Sequence, residues 1–208
     1  MILQQYYTST NKPLRGSAGF GIRAQSAGID ISVEQMLAAA GAYFHPSDLP
    51  DTAIEQMPIS LSYYTIGDGL WGITHSKYVG QDYSKTRYGN YFSHSLLCNE
   101  IDLQGIAWMP ISLYGSQSWV TAEETSIPHE LPALANLPAR QTNMPVDLSL
   151  FINQTPERIK MLRQLIQAYV DAHTSATGRR IVICDDYANS VNWIKAMSYS
   201  LPTTLRKA

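Results

Sequence analysis

The stretch PISLSYYTIGDGLWGITHSKYVG, residues 58–80, decides how this chain is read. Ile59, Leu61, Tyr63 and Thr65 alternate with Ser60, Ser62, Tyr64 and Ile66. That period of two belongs to a strand, whose successive side chains point to opposite faces. Gly67, Asp68 and Gly69 supply a tight reversal, and Leu70 to Ser76 returns as a partner strand. Alternating runs around a short Gly/Asp turn predict a β-hairpin. The next run, YFSHSLLC at 91–98, alternates again and follows the connection GQDYSKTRYGN. Phe92, His94, Leu96 and Cys98 fall on one face of that strand, and Tyr91, Ser93, Ser95 and Leu97 on the other.

Working outward, ILQQYYTS and FGIRAQS read as two further strands joined by the turn-rich loop NKPLRGSAG. Ser32, with Gln35 three residues later, has the form of a capping box. It opens a helix with Val33, Met36, Leu37 and Ala40 as its apolar stripe, ending near Gly41 to Tyr43. HPSDLPD is a proline-bounded linker. IAWMPISLYGS reads as an edge strand broken by Pro110. Prolines at 128, 132, 138 and 145 mark residues 115–147 as a proline-rich irregular insertion. LSLFI is a short strand or the lead-in to a helix.

TPERIKMLRQLIQAYVDAH predicts a long amphipathic helix, with Thr155 as cap and Pro156 in the first turn. Ile159, Leu162, Leu165, Ile166 and Tyr169 line its apolar face. RRIVICDD and YANSVNWIKAMSYSL complete a strand-helix unit, with Asp185 or Asp186 as the cap of its helix. The expected class is α+β. It is an antiparallel sheet built from hairpins, with a helix in the N-terminal half, a long amphipathic helix in the C-terminal half and a final strand-helix unit. The expected organisation is a single α+β domain over 1–208, forming the N-terminal part of a longer protein.

Composition narrows the function. Charged residues are 15% of the 208, against about 25% in an average soluble protein. A thin charge coat suits a surface made for contact with protein. The net charge of −2 argues against nucleic acid, which calls for a basic stripe. No signal peptide or spanning segment is evident, so a cytoplasmic protein with no membrane association is expected. Cys98 and Cys184 both sit in apolar settings and read as buried thiols. No Cys/His cluster predicts a metal, and no cofactor motif is present.

His94 reads mainly as a core histidine. The enzymatic alternative makes it a general base near neutrality, with Asp82 or His75 as companion. Cys98 shares its face but lies about 13 Å along the strand, too far for proton transfer. Ser93 and Ser95 point to the other side, and no nucleophile elbow occurs. RGSAGFG, residues 15–21, is glycine-rich but opens a strand, whereas a phosphate loop opens a helix. One adjacent pair, Asp185 and Asp186, is too little for a metal site, and Arg179 with Arg180 reads as a solvated charge pair.

Two blocks carry a resemblance. QQYYTSTNKPLRGSAGFGIRAQSAGI, at 4–29, and DYSKTRYGNYFSHSLL, at 82–97, resemble the N-terminal domain of bacterial GTPase-associated proteins. The matching positions are Tyr7, Thr8, Ser9, Gly16, Gly19, Phe20, Ala24, Ser26, Gly28 and Ile29, then Arg87, Gly89, Asn90, Phe92 and His94. The resemblance implies a role in multi-component prokaryotic defence systems, beside a co-encoded GTPase or another system protein. It supplies no catalytic residues. The expected function is therefore a non-catalytic adaptor or sensor that recognises a protein partner. Arg15, Tyr78, Tyr83, Arg87 and Tyr88 are its expected contact residues, and a hydrolase or nucleotide-processing enzyme using His94 is the alternative.

Overall fold

In the computed structural model, the hairpin at 58–80 is β3 (Ser60–Gly67) and β4 (Leu70–Gln81). Gly67, Asp68 and Gly69 take φ of 107°, 52° and 72°. The left-handed region favours glycine and tolerates aspartate, which is why this trio can reverse the chain. β5 (Tyr88–Asn99) pairs with β4 along its whole length, from Gln81↔Tyr88 to Leu70↔Asn99. β1 (Leu3–Thr10) lies on the other side of β5, in a register from Leu3↔Leu97 to Tyr7↔Ser93. β2 (Gly19–Gln25) pairs with β1 at the edge. The sheet order is β2-β1-β5-β4-β3, with every pair antiparallel.

The described residues are 1–124, 126–137, 144–175 and 180–207. Arg179 and part of the 115–147 segment, including Pro138, lie outside them. They divide into two units, one of Met1–Gly105 with Ser116–Pro138 and one of Ile106–Gly115 with Ala139–Ala208.

The first unit covers both sheet faces. On one, α1 (Ile31–Ala40) sets fully buried Leu37 against Ile29 and Leu97, with Val33, Leu3 and Tyr64 packed around them. Burying such a leucine contributes about 1.5–3 kcal/mol. Met36, expected in the stripe, is instead 42% exposed. The helix starts two residues earlier than Ser32 suggests: Asp30 is the N-cap residue and no side chain caps it. On the opposite face Tyr6, Ala24 and Phe92 pack with Leu131, Val120 and Ile127. The described residues of 116–137 are thus a strap over the sheet. Backbone bonds tie it to the sheet's end, Ile2 N–H to Leu134 O at 3.0 Å and Leu134 N–H to Ile2 O at 2.8 Å. The short helix α2 (Glu100–Gln104) follows β5 directly. Its capping box is formed by Asn99 and Asp102, a pair not singled out from the sequence.

The second unit holds α3 (Met144–Ile152), α4 (Pro156–Thr174), α5 (Tyr187–Ser200) and α6 (Thr203–Arg206). LSLFI is therefore helical. IAWMPISLYGS is not an edge strand: Pro110–Leu113 forms a 3-10 turn, with the proline in its first turn where a missing N–H costs nothing. Residues 180–184 lead into α5 but pair with no strand among the described residues. Asp186 occupies the N-cap position without a side-chain bond. Asp185 does the anchoring, accepting from Asp186 N–H at 2.7 Å, Asn189 Nδ2 at 3.2 Å and Trp193 Nε1 at 2.9 Å. Those donors, the indole first, hold its carboxyl below the usual range. Trp193 packs edge-on to Phe151, with centroids 4.9 Å apart. Cys184 is exposed, contrary to the buried setting expected, because the segment it lies in joins no sheet.

Candidate functional site

His94 and the β4–β5 connection are the two places where the sequence puts chemistry, and the fold treats them differently. His94 is 2% exposed, on the strap side of the sheet. The Val120 N–H donates to its Nδ1 at 3.1 Å, so that nitrogen carries no proton. Its Nε2 faces Gln4 Oε1 at 3.0 Å. Gln4 Nε2 donates to Pro132 O at 2.7 Å, which fixes the amide with its oxygen toward the histidine. Nε2–H is therefore the donor, and both ring nitrogens are engaged. The neighbours are aromatic. Tyr6 lies edge-on at 4.7 Å and Trp119 edge-on at 5.1 Å. His75, the cross-strand partner of His94, stacks on Trp119 at 5.1 Å and 14°.

Burial, then the neighbouring His75, pushes the His94 pKa down to about 3. Burial, with a smaller contribution from Lys77, pushes His75 down to about 4. Both folded values lie below the unfolded value of about 6.5. The unfolded chain therefore binds more protons as pH falls below 6.5, and stability falls with it until the folded values are reached. Between pH 7 and 4.5 each histidine should cost about 2–3 kcal/mol of unfolding free energy. Urea titrations at the two pH values read this directly, and equal midpoints would refute neutral burial of the pair.

Ser93, Ser95 and Cys98, the potential nucleophiles on the same strand, are likewise committed or buried. Ser93 Oγ bonds Gly41 O and Ser76 Oγ, each at 2.8 Å, on the face away from His94. Ser95 Oγ bonds Thr74 Oγ1 at 2.8 Å. Burial pushes the Cys98 thiol up to about 12. Among the described residues no cluster of three or more His, Cys, Asp or Glu could hold a metal ion.

The β4–β5 connection is organised by Asp82, itself only 7% exposed. Its Oδ1 accepts from Ser84 N–H at 3.1 Å, Ser84 Oγ at 2.7 Å and Thr86 N–H at 3.2 Å. Its Oδ2 accepts from Arg87 Nε at 3.2 Å. These donors, the Ser84 hydroxyl foremost, take its pKa down to about 2. Asp82 therefore builds the loop, and its carboxylate is spent on it. Lys85 sits at the turn with φ of 59°. Asn90 locks the loop to β1: its Oδ1 accepts from Ser9 N–H at 3.1 Å and its Nδ2 donates to Gln81 O at 3.0 Å.

Tyr83 and Tyr88 emerge 42% and 44% exposed, and the Arg87 side chain is 80% exposed. Tyr78, expected beside them, is buried beneath, its hydroxyl accepting from Gly89 N–H at 3.3 Å. Arg15 belongs to the β1–β2 connection and pairs with Glu34 of α1. A cavity of about 350 Å³ opens beside the loop, bordered by Ile54, Val79, Tyr83, Lys85, Tyr88 and Glu123. Glu123 was not foreseen from sequence. It comes from the strap, where only the folded chain brings it to β1 and β2: its Oε1 accepts from Thr10 Oγ1 at 2.6 Å and from Arg23 Nε at 2.7 Å.

Residues 1–137 match the family described as GTPase-associated protein 1, N-terminal domain type 2. The chain belongs to this family. The match covers more than half of the 208 residues and takes in the whole sheet, α1 and the strap. Comparison with curated proteins and with solved structures gives no match. No helix among the described residues of this GTPase-associated N-terminal domain protein is long and apolar enough to cross a membrane. His94, Asn90 and Gly89, all within the family match, are here a sealed ring, a loop lock and a strand-entry residue with φ of 106°.

Proposed function

We propose that this GTPase-associated N-terminal domain is a non-catalytic adaptor or sensor. It recognises a protein partner, the co-encoded GTPase of a multi-component prokaryotic defence system, through the β4–β5 connection. The observation that carries this reading is the contrast between a rigid loop and an exposed tip. Asp82 anchors the connection with four hydrogen bonds, while Tyr83, Arg87 and Tyr88 stand in solvent. Tyrosine and arginine on a preorganised frame bind protein with little ordering cost. Arg15, half exposed on the neighbouring connection, is a second contact. The doubly hydrogen-bonded, sealed ring of His94 gives the hydrolase or nucleotide-processing alternative no support.

Arg87→Ala is expected to weaken binding of the co-encoded GTPase by about 30-fold, as loss of a central interfacial arginine costs about 2 kcal/mol. Isothermal titration of purified proteins measures it. Wild-type affinity in both Arg87→Ala and Tyr88→Ala would remove this surface from the interface.

A further inference from the structure

The cavity beside the β4–β5 connection holds several charged groups, and only one of them is left over. Of its lining carboxylates, Asp82 is consumed by the loop and by Arg87. Glu123 is tied at one oxygen to Thr10 and to Arg23, whose side chain is 2% exposed. The lining cation is Lys85. Among the described residues its ammonium has no hydrogen bond or ion pair, so the uncompensated charge of the cavity is positive. Lys85 is also held at φ of 59°, in the left-handed region. A lysine there costs about 1 kcal/mol more than a glycine, which would close the same turn without strain. Strain of this kind points to use of the side chain. Tyr83, Tyr88, Ile54 and Val79 line the same cavity, together with the polar Ser9, Gln81 and Asn90. A flexible amine in a cavity that also offers phenol and aliphatic groups suits a carboxylate on an aliphatic stem.

We infer that this cavity receives an acidic side chain, aspartate or glutamate, from an acidic peptide segment of the protein partner, with Lys85 as its counter-ion. The inference rests on the protein-recognition reading and names the chemistry of what is recognised. The carboxylate pairs with the Lys85 ammonium, in the cavity that Tyr83 and Tyr88 also line. The adjoining apolar residue of the segment covers Ile54 and Val79. The two lining carboxylates do not oppose it, because each is already neutralised by an arginine.

The test uses the full chain and two blocked hexapeptides, one alternating glutamate with leucine and one alternating glutamine with leucine. Amide NMR titration should show the glutamate peptide shifting Tyr83, Lys85 and Tyr88 in a salt-sensitive way, and the glutamine peptide leaving them unmoved. Lys85→Gly relieves the backbone, so it should fold, yet lose the glutamate peptide at least tenfold. Lys85→Arg should keep it. Equal response to both peptides, or unchanged binding to Lys85→Gly, overturns the inference. Binding of the co-encoded GTPase separates the two ideas. If Arg87→Ala weakens it and Lys85→Gly does not, the acidic-segment inference fails and the recognition surface stands. If neither variant weakens it, both fail.

Discussion

Replacing Trp119 by alanine is expected to lower the unfolding free energy by about 3–5 kcal/mol, the range for deleting a buried tryptophan. The indole is 6% exposed and is the main cover of two imidazoles. It stacks on His75 and meets His94 edge-on. Its neighbour Val120 supplies the N–H that His94 Nδ1 accepts. Removing the ring therefore loosens the strap and lets water reach both histidines. Their depressed pKa values should rise toward about 6.5, and the loss of stability between pH 7 and 4.5 should shrink. A purely packing role would lower stability equally at both pH values. Urea titration of Trp119→Ala and Trp119→Phe at each pH separates the two. A cost below about 1 kcal/mol in the alanine variant would mean that the strap is held by its backbone bonds alone.

The second large effect is expected at Gly72, in the middle of β4. Its backbone is ordinary strand, and the space above it is the issue. A Cβ built there would lie 2.4 Å from Cε2 and Cζ of Tyr64 and 2.7 Å from the hydroxyl. Tyr64 is the cross-strand partner of Gly72, and its ring lies across the glycine. The same hydroxyl bonds Thr74 Oγ1 at 2.8 Å, which bonds Ser95 Oγ at 2.8 Å. Burial takes the Tyr64 phenol up to about 12. Alanine at 72 must displace the ring and strand the Thr74–Ser95 pair, at a cost of about 2–4 kcal/mol. Gly21→Ala is the control, since its Cβ would meet only Pro13 at an ordinary 3.4 Å. The cost should largely disappear when Tyr64 is also changed to alanine. Additive effects of the two substitutions in a double-mutant cycle would show that the contact is not the cause.

The parts legible in the sequence are those governed by period and turn chemistry. The alternation over 59–66 and 91–98, and the Gly-Asp-Gly reversal between 67 and 69, lead directly to the antiparallel sheet. They also place His94 and Ser93 on opposite faces, as the structure has them. What escaped depends on partners far away in the chain. Ser32 has the residues of a cap, but α1 begins earlier because its start is set by how Leu37 meets the sheet. Pro110 reads equally as a strand break and as the first residue of a helical turn, and only the neighbouring structure chooses. Cys184 sits in an apolar run that resembles a buried strand, but burial needs a ladder that the segment does not make. Trp119 and Glu123 lie in a stretch without periodicity. Nothing local announces that one covers the histidines and the other edges the cavity. Of the residues suggested for contact, Tyr83 and Arg87 share one connection, and Tyr88 opens the strand that follows it. Tyr78, on the same strand end, turns inward.

The place of β1 inside the sheet has a consequence for biosynthesis. Once made, β1 has β2 for company early, but its other edge stays open until β5, ending at Asn99, has been made. Ile2 is paired only when Leu134 arrives, so the two ends of the family-matched region meet last. Such distant pairing slows folding and leaves a nascent strand open to wrong partners. Chains truncated on the ribosome before Asn99 should therefore be protease-sensitive over β1, and those extended past Leu134 resistant.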